Sequence, residues 1–222
     1  MTEGRTAADR RCRGRPQLRS DEETRQIIYE AARHEFSANG YAATSTEIVA
    51  RRAGVSTKTL YRLIPNKAAL FEGMVSDRLD HFLSDVNLHA ADHFDLEEAL
   101  NAALMACANL ALDKEVVGLQ RIVLQETGQF PDLAATFYRN GIARTVVALA
   151  DWLRVQVKRG LIVLDDADEA AGILIGMVAS APQRAALFGG LPLPSRPEIE
   201  RRVRTCAALF LRGCRAEGAR KP

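Results

Sequence analysis

The stretch from residue 44 to residue 63 constrains the fold of this chain most, because it predicts two short helices joined by a tight turn. Residues 44–47 have the Thr-x-x-Glu pattern of a capping box, which predicts a helix start. Gly54 predicts the end of that helix, and Ser56 predicts the start of the next one. Leu60 takes the position in the second helix that anchors it to a core. The pattern predicts a helix-turn-helix.

Helical periodicity continues along most of the chain, whereas strand signals are weak. A capping box at Ser20 predicts a first helix that ends at Asn39-Gly40, and Pro65-Asn66 predicts the start of a fourth helix at Lys67. The one strand candidate is the short apolar run 160–164. Further helices are predicted over about 95–112, 115–128, 132–159, 166–188 and 197–215. We therefore expect an all-α fold of about nine helices.

The charges divide the chain into a basic head and a mildly acidic body. Residues 1–67 contain 13 Lys and Arg against 8 Asp and Glu, whereas the remaining residues contain 17 against 20. This asymmetry favours a polyanionic partner for the head, and chance clustering of solvated arginines is the alternative. Residues 1–19 are rich in Arg, with Gly and Pro and no periodicity, which predicts a flexible basic arm.

The sequence predicts a cytoplasmic protein with no membrane span. No apolar run follows the N-terminal arginines, and no stretch approaches the roughly 18 continuous apolar residues of a span. The four cysteines are scattered without a metal-binding spacing, which favours reduced thiols. Cys206 and Cys214 are expected to be small core residues. We expect no metal and no cofactor.

The second helix of the helix-turn-helix has the composition of a DNA-reading element. Leu60 and Ile64 are expected to face the core, and the first turn of such a helix is where side chains reach base edges. Lys67 begins the next helix, whose N-terminal N–H groups favour a phosphate. The candidates for contact with DNA bases and phosphates are Thr57, Lys58, Thr59, Tyr61 and Arg62.

These residues resemble the DNA-binding head of the TetR family of transcriptional regulators. The match covers about residues 24–71 and needs no insertion. Leu63 and Ile64 differ from the family, which most often has a histidine or tyrosine and then a phenylalanine there, and Lys58 often corresponds to a glycine. The matching runs are Gly40-Tyr41-Ala42-Ala43-Thr44-Ser45, Val49-Ala50, Ala53-Gly54-Val55-Ser56, Thr59-Leu60-Tyr61-Arg62 and Lys67-Ala68-Ala69-Leu70-Phe71.

The resemblance implies a role for each matching residue. It implies that Thr44 and Ser45 lie near phosphates at the start of the second helix, and that Lys67 contacts the DNA backbone. It also implies a DNA-binding domain over residues 20–67 and a ligand-binding and dimerisation domain over 68–222. The residues implied for the recognition surface are Ser56, Thr57, Lys58, Thr59 and Tyr61.

The N-terminal arm carries a second, shorter motif. Arg13-Gly14-Arg15-Pro16 resembles the core of an AT-hook, an extended segment that places arginines in a narrow A·T minor groove. Arg13 and Arg15 are therefore candidates for minor-groove contact, and a solvated basic tail is the alternative.

The body resembles one common TetR-type C-terminal domain more distantly, through residues 126–133, Phe137-Tyr138, 159–161, 165–166 and 170–171. The resemblance implies a homodimer joined through the last two helices, and their apolar composition agrees. The alternative is that these faces pack within their own subunit. A two-fold dimer would present two recognition helices to a palindromic operator.

Ligand binding is implied by the resemblance alone. We expect a small apolar effector in a cavity of the body, with walls from the fourth to seventh helices. Candidate wall residues are Phe82, Leu104, Met105, Leu124, Phe137, Trp152 and Met177, and candidate polar groups are Gln120, Gln125, Asn140 and Gln156. The alternative for each of them is an ordinary core or surface position.

Two functions in different classes compete with a ligand-released repressor. One is a TetR-shaped DNA-binding protein that takes no small molecule and is controlled by a protein partner. The other is a helical enzyme, which we do not expect because no nucleophile with a base, metal cluster or phosphate-binding loop stands out.

Overall fold

The computed structural model describes the backbone of residues 19–88 and 95–214 and the side chains of residues 19–81 and 95–213. Within these ranges the chain is helical and contains no β-strand, so the all-α prediction is confirmed. Residues 160–164, the strand candidate, form no strand: Gly160 lies in the turn after the preceding helix, and the buried Ile162 makes an isolated β-bridge. Arg13, Arg15 and the side chains of Phe82 and Cys214 lie outside the described part.

The helices follow the predicted order closely. They are α1 (Asp21–Ala43), α2 (Thr46–Arg52), α3 (Thr57–Leu63), α4 (Lys67–Leu88), α5 (Leu96–Ala111), α6 (Lys114–Glu126), α7 (Pro131–Phe137), α8 (Arg144–Lys158), α9 (Ala167–Ile175), α10 (Ala181–Phe188) and α11 (Arg196–Cys214). A π-helical turn, Tyr138–Ala143, joins α7 to α8, and a second, Gly176–Ser180, joins α9 to α10. Because each joined pair forms one continuous rod, the described residues contain the nine helices that were predicted.

The first helix begins and breaks where the sequence predicts. Glu23 N donates to Ser20 Oγ at 3.1 Å and Ser20 N donates to Glu23 Oε2 at 2.7 Å, so the capping box is complete. Gly40 has a φ of 79°, a left-handed conformation that ends the regular helix before the short turn to Ala43. This break turns the chain towards α2.

The turn between α2 and α3 closes as a Schellman motif. Gly54 N donates to Arg51 O at 3.2 Å and Val55 N donates to Ala50 O at 3.0 Å. Gly54 has a φ of 67°, which explains why a glycine stands there. Leu60 is fully buried behind α3, so the core-facing side of this helix is as predicted.

Two clusters of buried apolar residues form the interior. The first joins the head helices α1–α3 to the first half of α4 and then to Leu119, Ile122 and Val123 of α6. The second is formed by residues of α4, α5, α8, α9 and α11, together with the turn after α8. Since the head core extends into α6, the head and body meet across packed side chains without a linker.

The rod α9–α10 exposes an apolar surface that the other described residues leave uncovered. Over Ala167–Phe188 it is long and apolar enough to cross a membrane by length and composition alone, and only 28% of that window is buried. The sequence was expected to contain no segment with the length and composition of a membrane span, and in composition this rod contradicts that expectation. The rod nonetheless packs on one side into the second core, through Ala171, Leu174 and Val178.

Candidate functional site

The outer side of α3 is exposed at the positions predicted to contact DNA. Ser56, Thr57 and Lys58 are exposed, and Thr59 is half-buried. Ser56 Oγ accepts from Thr59 N at 3.0 Å and lies 2.8 Å from Thr59 Oγ1, so both hydroxyls serve the helix cap. Thr57 and Lys58 are therefore the side chains of this surface that are least engaged in contacts within the protein.

Tyr61 and Arg62 are held by carboxylates of the head. The Tyr61 hydroxyl donates to Glu47 Oε1 at 3.1 Å and lies 2.7 Å from Thr46 Oγ1, while 45% of the residue stays exposed. Both terminal nitrogens of Arg62 donate to Asp21 at 2.8 Å, and this pairing raises the pKa of the guanidinium. In this arrangement both polar ends are engaged within the protein.

Thr44 does not present its side chain to DNA, which corrects the sequence prediction. It is 2% exposed, and its hydroxyl bonds to the carbonyls of Gly40 at 2.8 Å and Glu35 at 3.1 Å. The α2 cap is Ser45, one residue later than predicted, because Ser45 Oγ accepts from Ile48 N at 3.3 Å. Ser45 is half-buried at this helix start.

Lys67 lies at the joint between the head and the body. Its Nζ donates to Ala42 O at 3.2 Å and lies 4.4 Å from the centre of the Tyr41 ring. Partial burial lowers the pKa of this amine, against the opposing effect of Glu126. Glu126 Oε1 in turn accepts from Ala42 N at 3.1 Å, so α6 holds the end of α1.

A cavity of about 290 Å³ lies between the head and the body. Arg33 of the head helix α1 and Met74, Val75 and Arg78 of α4, which runs from the head into the body, form one side of it. The body side comes from α5–α10 and includes both π-helical turns. Single π-helical turns occur frequently at functional sites, and these two shape this cavity. Arg78 and Ile142, both in its wall, are partly exposed, so the cavity reaches solvent.

The structure places most of the predicted cavity residues elsewhere. Phe137 lines the cavity, as does the polar candidate Gln120. Leu104 belongs to the second core, and Met105, Trp152 and Met177 pack against that core. Gln125 and Leu124 are exposed, Asn140 bonds Glu72 at the surface, and Gln156 bonds the carbonyl of Trp152. The spacing of apolar residues predicted which sides of the helices are buried, but not which parts of the protein those sides contact.

The two arginines of the cavity wall were not predicted from the sequence. Arg78 follows Met74 by four residues and Val75 by three, so it continues the apolar face of α4. Arg33 precedes the buried Phe36 by three residues on α1. A charged residue at such a core-facing position was the available signal.

Two family models together cover most of the chain. The model for the bacterial regulatory proteins of the tetR family matches residues 28–74, and the model for the C-terminal domain of AefR-like transcriptional repressors matches residues 98–215. The chain belongs to the TetR family. It is a DNA-binding transcriptional regulator, and α2–α3 form its helix-turn-helix.

Individual relatives agree with this membership. The chain is 24% identical over 196 residues to the HTH-type transcriptional regulator YvkB of Bacillus subtilis (strain 168), covering 87% of this chain and 98% of YvkB. A TetR-family regulator from Mesorhizobium loti MAFF303099 superposes with a TM-score of 0.76 at 28% identity, covering 89% of this chain and all of that one. The flavonoid-responsive regulator FrrA superposes with a TM-score of 0.68 at 27% identity, with the same coverage.

Proposed function

We propose that this TetR-family regulator is a cytoplasmic homodimeric repressor that binds a palindromic operator and releases it when a small apolar molecule fills the cavity. The observation that carries this proposal is the composition of the cavity wall, which joins Arg33 of the head helix α1 and Arg78 of α4, the helix that begins at the head, to residues of the body helices. An occupant of the cavity would contact head and body helices at once.

In this proposal α3 enters the major groove and its exposed side chains contact base edges. Thr57 and Lys58 are assigned to base edges because they are exposed and least engaged within the head. Ser45 and Lys67, at the starts of α2 and α4, are assigned to phosphates. Tyr61 and Arg62 would reach phosphates by releasing Glu47 and Asp21.

The dimer is assigned to the uncovered apolar surface of α9–α10 and α11. Ile173 is 54% exposed, Phe188 is 78% exposed and Leu209 is 55% exposed. Burial of such side chains against a second copy would remove apolar area from water at about 25 cal/mol per Å². Arg202 Nε donates to the carbonyls of Met177 and Val178 in the π-helical turn, which fixes α11 against this rod.

Release follows from the position of the cavity. A ligand that binds one arrangement of the cavity wall more tightly shifts the dimer towards that arrangement. Both α1 and α4 pack against the helix-turn-helix and also line the cavity. Such a shift therefore changes the separation of the two recognition helices. A separation that no longer matches the half-site spacing weakens operator binding. FrrA, which its name describes as flavonoid-responsive, gives a precedent for response to a small molecule in a similar fold.

The experiment compares operator affinity with and without a cavity-binding compound. Compounds that raise the melting temperature of the protein are first identified, and operator binding is then measured by fluorescence anisotropy at fixed salt. We expect those compounds to weaken operator binding. The control variant Ala179→Leu adds volume at the cavity wall and should abolish both the thermal shift and the release. Equal operator affinity with and without every stabilising compound would refute the proposal.

A further inference from the structure

The side of α3 that is assigned to DNA continues into two residues whose polar ends are bonded within the protein. Tyr61 follows Thr57 by four residues, and Arg62 follows Lys58 by four. Each therefore lies one helical turn further along the same side of α3. Both Tyr61 and Arg62 are exposed. A duplex lying along this side of the helix meets both side chains.

Asp21 binds Arg62 in the way that a phosphate would. Arg62 NH1 donates to Asp21 Oδ2 and Arg62 NH2 donates to Asp21 Oδ1, each at 2.8 Å. A guanidinium binds carboxylates and phosphates in this same two-bonded geometry. Asp21 lies in the first turn of α1, where the helix dipole favours its negative charge. This pair of donors can bind Asp21 or a DNA phosphate, but not both at once.

Glu47 binds the hydroxyl of Tyr61. The hydroxyl donates its one proton to Glu47 Oε1 at 3.1 Å, and Thr46 Oγ1, 2.7 Å away, can donate to the same hydroxyl oxygen. The pKa of the Glu47 carboxyl is lowered, first by its own backbone N–H and then by the hydroxyls of Ser45 and Tyr61. The group is therefore a carboxylate at neutral pH, and a phosphate can accept from Tyr61 only by replacing it.

A DNA phosphate competes with a carboxylate at each of these two groups. Binding breaks an exposed pair and leaves a negative charge beside the DNA backbone. An exposed ion pair is worth about a threefold change in an equilibrium constant, so the two heads of a dimer together account for about tenfold at Arg62. The cost does not depend on base sequence, because phosphate contacts carry no sequence information.

We propose that Asp21 and Glu47 act as internal competitors of DNA. They occupy Arg62 and Tyr61 in the free protein and so lower its affinity for every DNA sequence. Weaker binding to phosphates shortens the time spent on DNA outside the operator, and it lets a modest loss of base contacts release the operator. The inference rests on the proposed function, which assigns Tyr61 and Arg62 to phosphates.

The test measures binding of full-length variants to a random-sequence duplex of about 30 base pairs, or three helical turns, by fluorescence anisotropy at several salt concentrations. Asp21→Asn keeps the shape of the side chain and removes its charge. The matched control, Glu22→Gln, removes the charge of the next residue, which pairs with Arg25 on the same helix. We expect Asp21→Asn to tighten binding about tenfold and to steepen the salt dependence, and Glu22→Gln to tighten it less than about threefold.

Three results of this comparison would overturn the proposal for Asp21. Equal gains from the two variants would mean that only the net charge of the head matters. Unchanged affinity of Asp21→Asn would mean that the pair with Arg62 costs nothing on DNA. Weaker binding of Asp21→Asn would mean that Asp21 orients Arg62 towards the backbone instead of competing with it.

A second substitution separates competition for Arg62 from simple repulsion between Asp21 and DNA. In an Arg62→Ala background, Asp21→Asn relieves only the repulsion, so its gain should fall to about that of Glu22→Gln. A gain of the same size in both backgrounds would rule out competition for the guanidinium.

The same design applies to Glu47. Glu47→Gln should tighten binding about threefold, because a neutral amide holds the Tyr61 hydroxyl less strongly than a carboxylate does. In a Tyr61→Phe background this gain should shrink. Equal gains in the two backgrounds would exclude Glu47 as a competitor.

The single variant Arg62→Ala separates this inference from the proposed function. If Arg62→Ala weakens DNA binding but Asp21→Asn does not strengthen it, the internal competition is wrong and the assignment of Arg62 to a phosphate stands. If Arg62→Ala binds DNA as tightly as the wild-type protein does, that assignment is wrong, and the inference fails with it.

Discussion

Replacement of Gly73 by alanine tests the packing that joins the head to the body. Gly73 lies on α4 where it meets Tyr29 of α1. A Cβ at this position would lie 2.6 Å from Tyr29 Cζ and 2.7 Å from Cε1, and closer still to Oη. Since ordinary contacts begin near 3.4 Å, the Tyr29 ring or α4 itself must move. We therefore expect Gly73→Ala to reduce the free energy of unfolding.

The magnitude follows from two opposing effects. Overpacking costs about 1–3 kcal/mol, and replacing a helical glycine by alanine returns about 1 kcal/mol. Gly118 on α6 provides the matched control, because its Cβ would meet nothing within 4 Å. Gly118→Ala should therefore stabilise the protein by about 1 kcal/mol. The difference between the two variants removes the helix-propensity effect and leaves the contact with Tyr29, about 1–3 kcal/mol.

The assay is urea-induced unfolding followed by circular dichroism at one protein concentration, since dimers unfold in a concentration-dependent way. The two variants should also differ in melting temperature by about 2–12 °C. Tyr29→Ala should remove the penalty, so that Gly73→Ala becomes stabilising in that background. Equal stabilisation by Gly73→Ala and Gly118→Ala in the native background would refute the close approach of α1 and α4.

Three further changes test the DNA contacts, the dimer and the core. Lys67→Ala should weaken binding to all DNA sequences alike and flatten the dependence on salt, measured by anisotropy; a loss confined to the operator would contradict a phosphate contact. Leu209→Arg should yield a folded monomer in analytical ultracentrifugation, whereas Val147→Arg, on α8 and similarly exposed, should remain a dimer. If both variants were monomers, or both were dimers, the proposed dimer interface would be excluded. Burial raises the pKa of the Cys107 thiol to about 12, so iodoacetamide at pH 8 should modify it only in urea, as peptide mass spectrometry would report. Rapid modification of the native protein would contradict this burial.

The helix-turn-helix was predictable because its determinants are local. Caps, a glycine with positive φ and an apolar anchor lie within a few residues of one another, and Gly54, Ser56 and Leu60 take the positions that the sequence assigns to them. The error at Thr44 has a different cause. Thr44 and Ser45 both fit a helix cap, and the tertiary contact of Thr44 with Glu35 O decides between them.

The cavity was less predictable because its wall is assembled from distant segments. The apolar periodicity continues through residues 138–143 and 176–180, so it predicts unbroken helices there and gives no sign of the π-helical turns. Trp152 and Met177 were predicted as cavity wall but pack against the second core, because helical spacing cannot tell a core-facing position from a cavity-facing one. The sequence assigns the helix of Arg33 chiefly to the head and the helix of Arg78 to the transition into the body. For this reason neither arginine was predicted as part of the cavity wall.

Selection of bound sites from random duplex DNA shows whether α3 presents Thr57 and Lys58 to a DNA groove. The full-length protein and the variants Thr57→Ala and Lys58→Ala are compared under the same low-salt conditions. We predict an inverted repeat for the wild type and, for each variant, altered base preference at positions related by the two-fold axis, with about 1–3 kcal/mol lost per good base contact. Failure of the wild-type protein to enrich any sequence, or identical sites for all three proteins, would contradict it.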